Sequence, residues 1–202
     1  ECAGTLTNNI SFADGATLGA NEWNGAAWIL DGTVTASGGM MLTEGRCNRS
    51  GTFNQHSGKV TGSGGMLFLS GYQSFTYNMY GNNDYAGPTI IGGPTMTYGN
   101  ASVFVTAYHS NAFGTAVETI SNYCPSATFA TLTLGPDVAN GLNPNKSIWC
   151  GPRSGFNQNA GTVGNAITLA GARYSFDGGG AVARTNSGSI IVANGTANTI
   201  HA

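Results

Sequence analysis

Charge is what this sequence has least of: 8% of its 202 residues are Asp, Glu, Lys or Arg, against about 25% in an average globular protein. Seven basic and nine acidic groups leave a formal net charge of −2. A nucleic-acid interface needs a basic footprint to neutralise phosphates, and seven scattered Lys and Arg residues exclude one. Long apolar runs are missing too, since no stretch approaches the roughly 18 residues of a membrane-spanning helix. With 41% hydrophobic residues and nearly balanced charge, the chain also lacks the low hydrophobicity and high net charge of a disordered one.

Chemistry-bearing motifs are equally scarce. There is no G-x-S-x-G nucleophile elbow, no H-E-x-x-H zinc motif and no P-loop. The three histidines, His56, His109 and His201, lie apart from the cysteines, so the clustered ligand spacings of a zinc site are absent. Asp14, Asp31 and Asp177 each precede a glycine, which reads as turn chemistry rather than as half of a carboxylate pair. Lys59 beside His56 is the one cluster that could supply a lyase-type base. The expectation is a non-enzymatic protein with no catalytic residue, no cofactor and no metal.

What is present is glycine, at 32 residues, and short alternating segments rich in Thr, Val, Ile, Phe and Tyr. Glycine interrupts nearly every window that could carry a helical period, at about 1 kcal/mol each inside a helix. Ten segments read as strands: 5–12, 27–35, 66–69, 74–80, 95–98, 102–108, 128–134, 166–169, 173–176 and 189–193. Gly, Asn, Asp or Pro bounds each of them, as turns require. The chain is therefore expected to be one all-β domain, 1–202.

An internal duplication organises it. Cys47-Asn-Arg-Ser-Gly-Thr-Phe-Asn-Gln-His-Ser-Gly-Lys-Val60 returns as Cys150-Gly-Pro-Arg-Ser-Gly-Phe-Asn-Gln-Asn-Ala-Gly-Thr-Val163, with Thr inserted in the first copy. The likeness runs on through 47–80 and 150–180. Shared register places Phe53 with Phe156, and Val60 with Val163, at equivalent core positions. Gln55 to Val60, Leu67 to Gly71 and Tyr77 to Gly81 follow one order, and Gln158 to Val163, Leu169 to Gly171 and Phe176 to Gly179 follow it again. These units resemble the short glycine-rich repeats of bacterial secreted β-solenoids, the autotransporter-passenger-like and sorting-tagged surface families. That resemblance implies a secreted, stacked, parallel β architecture and no activity. Two copies about 100 residues apart fall short of the three or more units that a solenoid stacks. A two-layer, jelly-roll-like β-sandwich built by duplication therefore stays open beside the solenoid.

Four widely spaced cysteines, Cys2, Cys47, Cys124 and Cys150, and a first residue, Glu1, that is not Met suggest a processed chain in an oxidising compartment. The expected pairing is Cys2–Cys47 and Cys124–Cys150, in a protein located outside the cell or on its surface.

Three groups of residues are candidates for function. Tyr72, Tyr77, Tyr80, Asn82, Asn83, Asp84 and Tyr85 combine aromatic faces with amides, the combination that stacks on and hydrogen-bonds surface glycans. Arg49 and Arg153 hold equivalent places in the repeat and read as turn-fixing residues, with anion contact as the alternative. Leu6, Ile10 and Phe12 near one end, and Ile190, Ile191 and Val192 near the other, lie in runs without a single charge. Exposed sheet edges are normally blunted by Lys, Glu or Pro, so these runs suit strand addition between subunits. The leading expectation is a structural or adhesive surface protein whose partners are copies of itself in a filament. Alternatives are a glycan-binding or phage-type receptor-binding tip, and an ice-binding solenoid using the pairs Thr33/Thr35, Thr95/Thr97 and Thr131/Thr133.

Overall fold

The computed structural model describes residues 4–13, 16–22, 27–38, 40–47, 51–70, 73–93, 101–124, 129–159, 161–175, 183–194 and 196–201. Among them lie 22 short strands and no helix, hence no helix long and apolar enough to cross a membrane. Every strand pairing is parallel. The chain is a β-solenoid, and the antiparallel sandwich is excluded.

Two long sheets form its walls. The first has nine strands, from Gly4–Leu6 through Gly51–Gln55, Phe75–Met79, Val103–Ala107, Ala130–Leu134 and Ser154–Gln158 to Thr199–His201. The second has eight, from Thr17–Glu22 through Gly65–Ser70, Glu118–Tyr123 and Lys146–Cys150 to Ile190–Val192. Shorter sheets of three and two strands turn the third side. Successive partners in the first sheet are Trp28, Phe53, Tyr77, Val105, Leu132, Phe156, Tyr174 and Ile200, so one coil takes 18 to 28 residues. Four coils separate Phe53 from Phe156. Both are buried, as are Val60 and Val163, so the duplicated string recurs at the same height of the cross-section.

Period-2 alternation decides which side chains enter the core. Gly51–Gln55, Phe75–Met79 and Lys146–Cys150 all alternate buried with half-buried positions. The inward residues form columns, one of them Ile120, Ile148, Ile167 and Ile190. Two expected strands are each split by a corner. Segment 5–12 becomes Gly4–Leu6 and Ile10–Phe12, and segment 27–35 becomes Ala27–Leu30 and Thr33–Ala36. Asp31 serves the second corner, where its carboxylate accepts from the Ser57 N–H at 3.2 Å. A side chain on Gly32 would strike the Asn8 carbonyl of the preceding coil. The expected strand 95–98 lies outside the described residues.

Buried amides close the third side. The Asn83 side chain is fully buried and links three coils. Its Oδ1 accepts from Val60 N–H and from Gln55 Nε2, both at 2.7 Å, while its Nδ2 donates to Ala112 O at 2.7 Å. Gln158, the repeat-mate of Gln55, likewise donates to the carbonyl three residues on, that of Gly161, at 2.6 Å. Leaving a buried polar group unsatisfied costs about 1–3 kcal/mol. Asn83→Ala strips partners from Gln55, Val60 and Ala112 together, so it should lower unfolding stability by at least about 3 kcal/mol. Urea denaturation followed by far-ultraviolet circular dichroism measures this.

Candidate functional site

The cysteines depart from expectation. Cys124 and Cys150 are both buried and are not joined to each other, and Cys150 is a free thiol. Register explains why: Cys150 pairs with Asn122, not Cys124. Parallel strands spaced about 4.8 Å apart with a rise near 3.3 Å per residue put a partner two positions along at about 8 Å, outside the 4.4–6.8 Å Cα separation of a disulfide. Asn122 Nδ2 lies 3.9 Å from the Cys150 sulfur, and burial pushes the thiol pKa up to about 12. Cys2 and the side chain of Cys47 lie outside the described residues. Iodoacetamide at pH 8 should therefore leave Cys150 unmodified in the native protein and alkylate it only after unfolding. Peptide mass mapping before and after guanidinium treatment checks this.

The aromatic stretch divides by sidedness. Tyr77, Asn83 and Tyr85 are buried and cannot meet a glycan at the surface. Tyr77 packs against Phe68 at 5.1 Å and Phe75 at 4.9 Å, and its hydroxyl donates to Leu69 O at 2.6 Å. The Tyr85 hydroxyl shares a 2.6 Å hydrogen bond with Thr89 Oγ1, and burial raises its pKa. Tyr80, Asn82 and Asp84 stay on the surface, and Tyr72 lies outside the described residues. Tyr80 stacks flat on Tyr108 of the next coil at 4.2 Å, with His56 edge-on at 5.9 Å. Asn82, Asn111 and Asn143 form a ladder with amide bonds of 2.9 and 2.8 Å. Asp84 pairs with Lys59 at 2.6 Å, which holds its carboxyl below the usual range. Lys59 is thus neutralised by a carboxylate, and no group of three metal-ligating side chains occurs among the described residues.

The candidate assembly residues sit at opposite ends of the stack. Leu6, Ile10 and Phe12 belong to the first described coil and are half-buried, with Leu6 and Phe12 against the core. Ile190, Ile191 and Val192 form the last strand of the second sheet, 36%, 54% and 50% exposed. Ile190 and Val192 continue the inward columns of Ile167 and Leu169, both fully buried. Ile200 does the same above Tyr174 in the first sheet and is 51% exposed. Among the described residues, no further coil covers these three side chains.

A notch on the outer wall of the first sheet was not anticipated. Thr52, Thr76, Phe104, Thr131, Gly155 and Arg173 form one outward row across the strands. At Gly155 the row loses its side chain and leaves a cavity of about 170 Å3 lined by Phe129, Thr131, Gly155, Asn157, Arg173 and Ser175. The signal was present in the duplication: the first copy carries Thr52 where the second, with its Arg-Ser-Gly set one residue closer to the Phe, presents Gly155. Arg153 adopts a left-handed conformation, φ 53°, uncommon for a residue with a side chain. Its carbonyl accepts from Ala130 N–H at 3.2 Å, so the backbone of Arg153, rather than its guanidinium, ties this turn to the neighbouring coil. Its repeat-mate Arg49 lies outside the described residues.

One buried cation stands apart from these surfaces. Lys146 points into the stack, and its buried Nζ has no hydrogen-bond partner among the described residues. Burial lowers its pKa, opposed by the charge of Glu118, its partner on the adjacent strand. The folded chain thus disfavours the charged form, and the unfolded chain holds more protons between the lowered pKa and about 10.4. Stability contributed by this group rises with pH across that window. Lys146→Met should raise stability at pH 7 by roughly 1 kcal/mol or more and remove this alkaline gain. Urea midpoints of both proteins at pH 7 and 9.5 provide the comparison.

No protein-family model, curated protein or solved structure matches the chain. The fold class is that of a parallel β-solenoid, and the functional reading rests on the surfaces just described.

Proposed function

We propose that the protein is a secreted structural or adhesive surface protein whose subunits add end to end, a strand from the first coil of one copy pairing with the open edge of the next. The observation that carries this reading is the open core at the Ile190–Val192 end. Ile190, Val192 and Ile200 stand in line with columns that are fully buried one coil earlier. Burial of apolar surface contributes about 25 cal/mol per Å2, so these side chains favour a further coil stacked on them. Neither Ile190–Val192 nor Gly4–Leu6 carries a charge, so neither has the lysines that block edge pairing. Because all strands are parallel, adding copies along the stack repeats one heterologous contact that propagates rather than closes. Backbone hydrogen bonds supply affinity and the open columns supply register.

Ile191 faces outward at this edge, opposite Thr168, so a lysine there blocks pairing without burying a charge. The wild-type chain should form filaments visible by negative-stain microscopy and sediment faster as concentration rises. Ile191→Lys should sediment as a monomer with an unchanged circular dichroism spectrum. A wild-type chain that stays monomeric at high concentration overturns the reading.

A further inference from the structure

We infer that the notch at Gly155 is a binding site for one carboxylated sugar unit, the uronic-acid residue of an acidic polysaccharide. It lies on the side wall of the stack and is independent of assembly through the ends.

Gly155 has no conformational or steric reason to be glycine. Its φ is not among the left-handed values of the chain. An added Cβ would meet Phe129 Cε1 at 3.4 Å and the Thr131 Oγ1 and Cγ2 atoms at 3.7 and 3.8 Å, all ordinary contacts. The contrast with the corners is sharp, since a Cβ on Gly161 or Gly114 would run into the carbonyl of Ala139 or Tyr85. A glycine inside a strand costs about 0.5–1 kcal/mol relative to alanine. Where no turn or crowding demands it, it marks a place that something else approaches closely. The other copy of the repeat carries Thr52 at the same height.

The lining specifies what fits. Phe129 is 40% exposed and offers a ring to the apolar face of a sugar, the stacking that aromatic side chains supply. Arg173 is exposed and, among the described residues that line the cavity, is the only charged one, so the site selects an anion. Its planar guanidinium matches a carboxylate with two parallel hydrogen bonds. The Thr131 hydroxyl and the Asn157 amide supply donors and acceptors for ring hydroxyls. Asn157 Nδ2 is engaged only by a long 3.5 Å contact to Thr133 Oγ1. At about 170 Å3 the cavity is below the roughly 300–1,000 Å3 of a drug-sized pocket, which suits a single ring. A bare phosphate would satisfy Arg173 but leave the Phe129 wall unused.

The test is titration of the isotope-labelled full chain with sodium glucuronate and sodium galacturonate, with glucose and inorganic phosphate as controls, followed by amide chemical shifts. At least one acid sugar should shift the amides of Phe129, Gly155 and Arg173, and bind at least about tenfold more tightly than glucose, as a charge-assisted hydrogen bond provides. Gly155→Val fills the notch with a residue suited to strands, so it should keep or raise the melting temperature while weakening binding at least tenfold. Arg173→Gln, which leaves the strand backbone untouched, should do the same to the acid sugar and leave glucose unchanged. The inference is overturned if neither acid sugar shifts these amides, or if glucose or phosphate binds as tightly. It also fails if either variant titrates like the wild type.

Discussion

Backbone hydrogen bonds between parallel strands hold successive coils about 4.8 Å apart, and every side chain in the molecule has to meet that spacing. An inward residue sits directly on its counterpart in the coil before it, so the core is a set of columns rather than a jigsaw of unrelated neighbours. The isoleucines at 120, 148, 167 and 190 satisfy the spacing by repetition. The aromatic column satisfies it by tilting, with Phe53 and Tyr77 at 53° and Phe156 and Tyr174 at 37°. The same spacing that packs like on like leaves Ile190, Val192 and Ile200 uncovered where the columns stop.

Polar groups obey the rule differently. On the third side the chain turns too sharply for continuous pairing, and amides take over the work of the backbone. Asn83, Gln55, Gln158 and Asn165 are buried because each answers N–H and C=O groups that the corner leaves unpaired. On the surface, the stacked rings of Tyr80 and Tyr108 and the amides of Asn82, Asn111 and Asn143 repeat at coil spacing without entering the core. This division lets a chain with few charges remain ordered: most of its buried side-chain polar groups are consumed by one another, Lys146 Nζ being an exception among the described residues.

Much of the architecture was legible in the sequence, and the parts that were not have physical causes. Alternation and glycine-bounded segments gave the all-β class, and the duplicated string aligned Phe53 with Phe156 and Val60 with Val163. Alternation does not distinguish parallel from antiparallel pairing, so the sandwich was excluded only by the observed pairings. The coil period was hidden because intermediate coils keep the column but change the residue: Phe53 is followed by Tyr77, Val105 and Leu132 before Phe156 returns. Thr89–Gly92, Glu118–Tyr123 and Lys146–Cys150 were not among the expected strands; the last two each begin on a charged residue, which masks the apolar alternation that follows. In the aromatic stretch, residue type suggested a surface where only sidedness could separate Tyr77 from Tyr80. The Thr52 insertion was visible; that its counterpart opens a notch depends on the outward row, which a single copy does not display.

The coil of 18 to 28 residues also governs how such a chain can reach its fold. Within one coil no strand has a pairing partner until a second coil lies against it, so the smallest unit that gains more than it loses in chain entropy is a pair, about 50 residues. Once that pair exists, each later coil adds against a template already in register, and the growth resembles a zipper with one expensive first tooth. Order of synthesis then coincides with order of stacking, so each coil leaves the ribosome beside a template that is already folded.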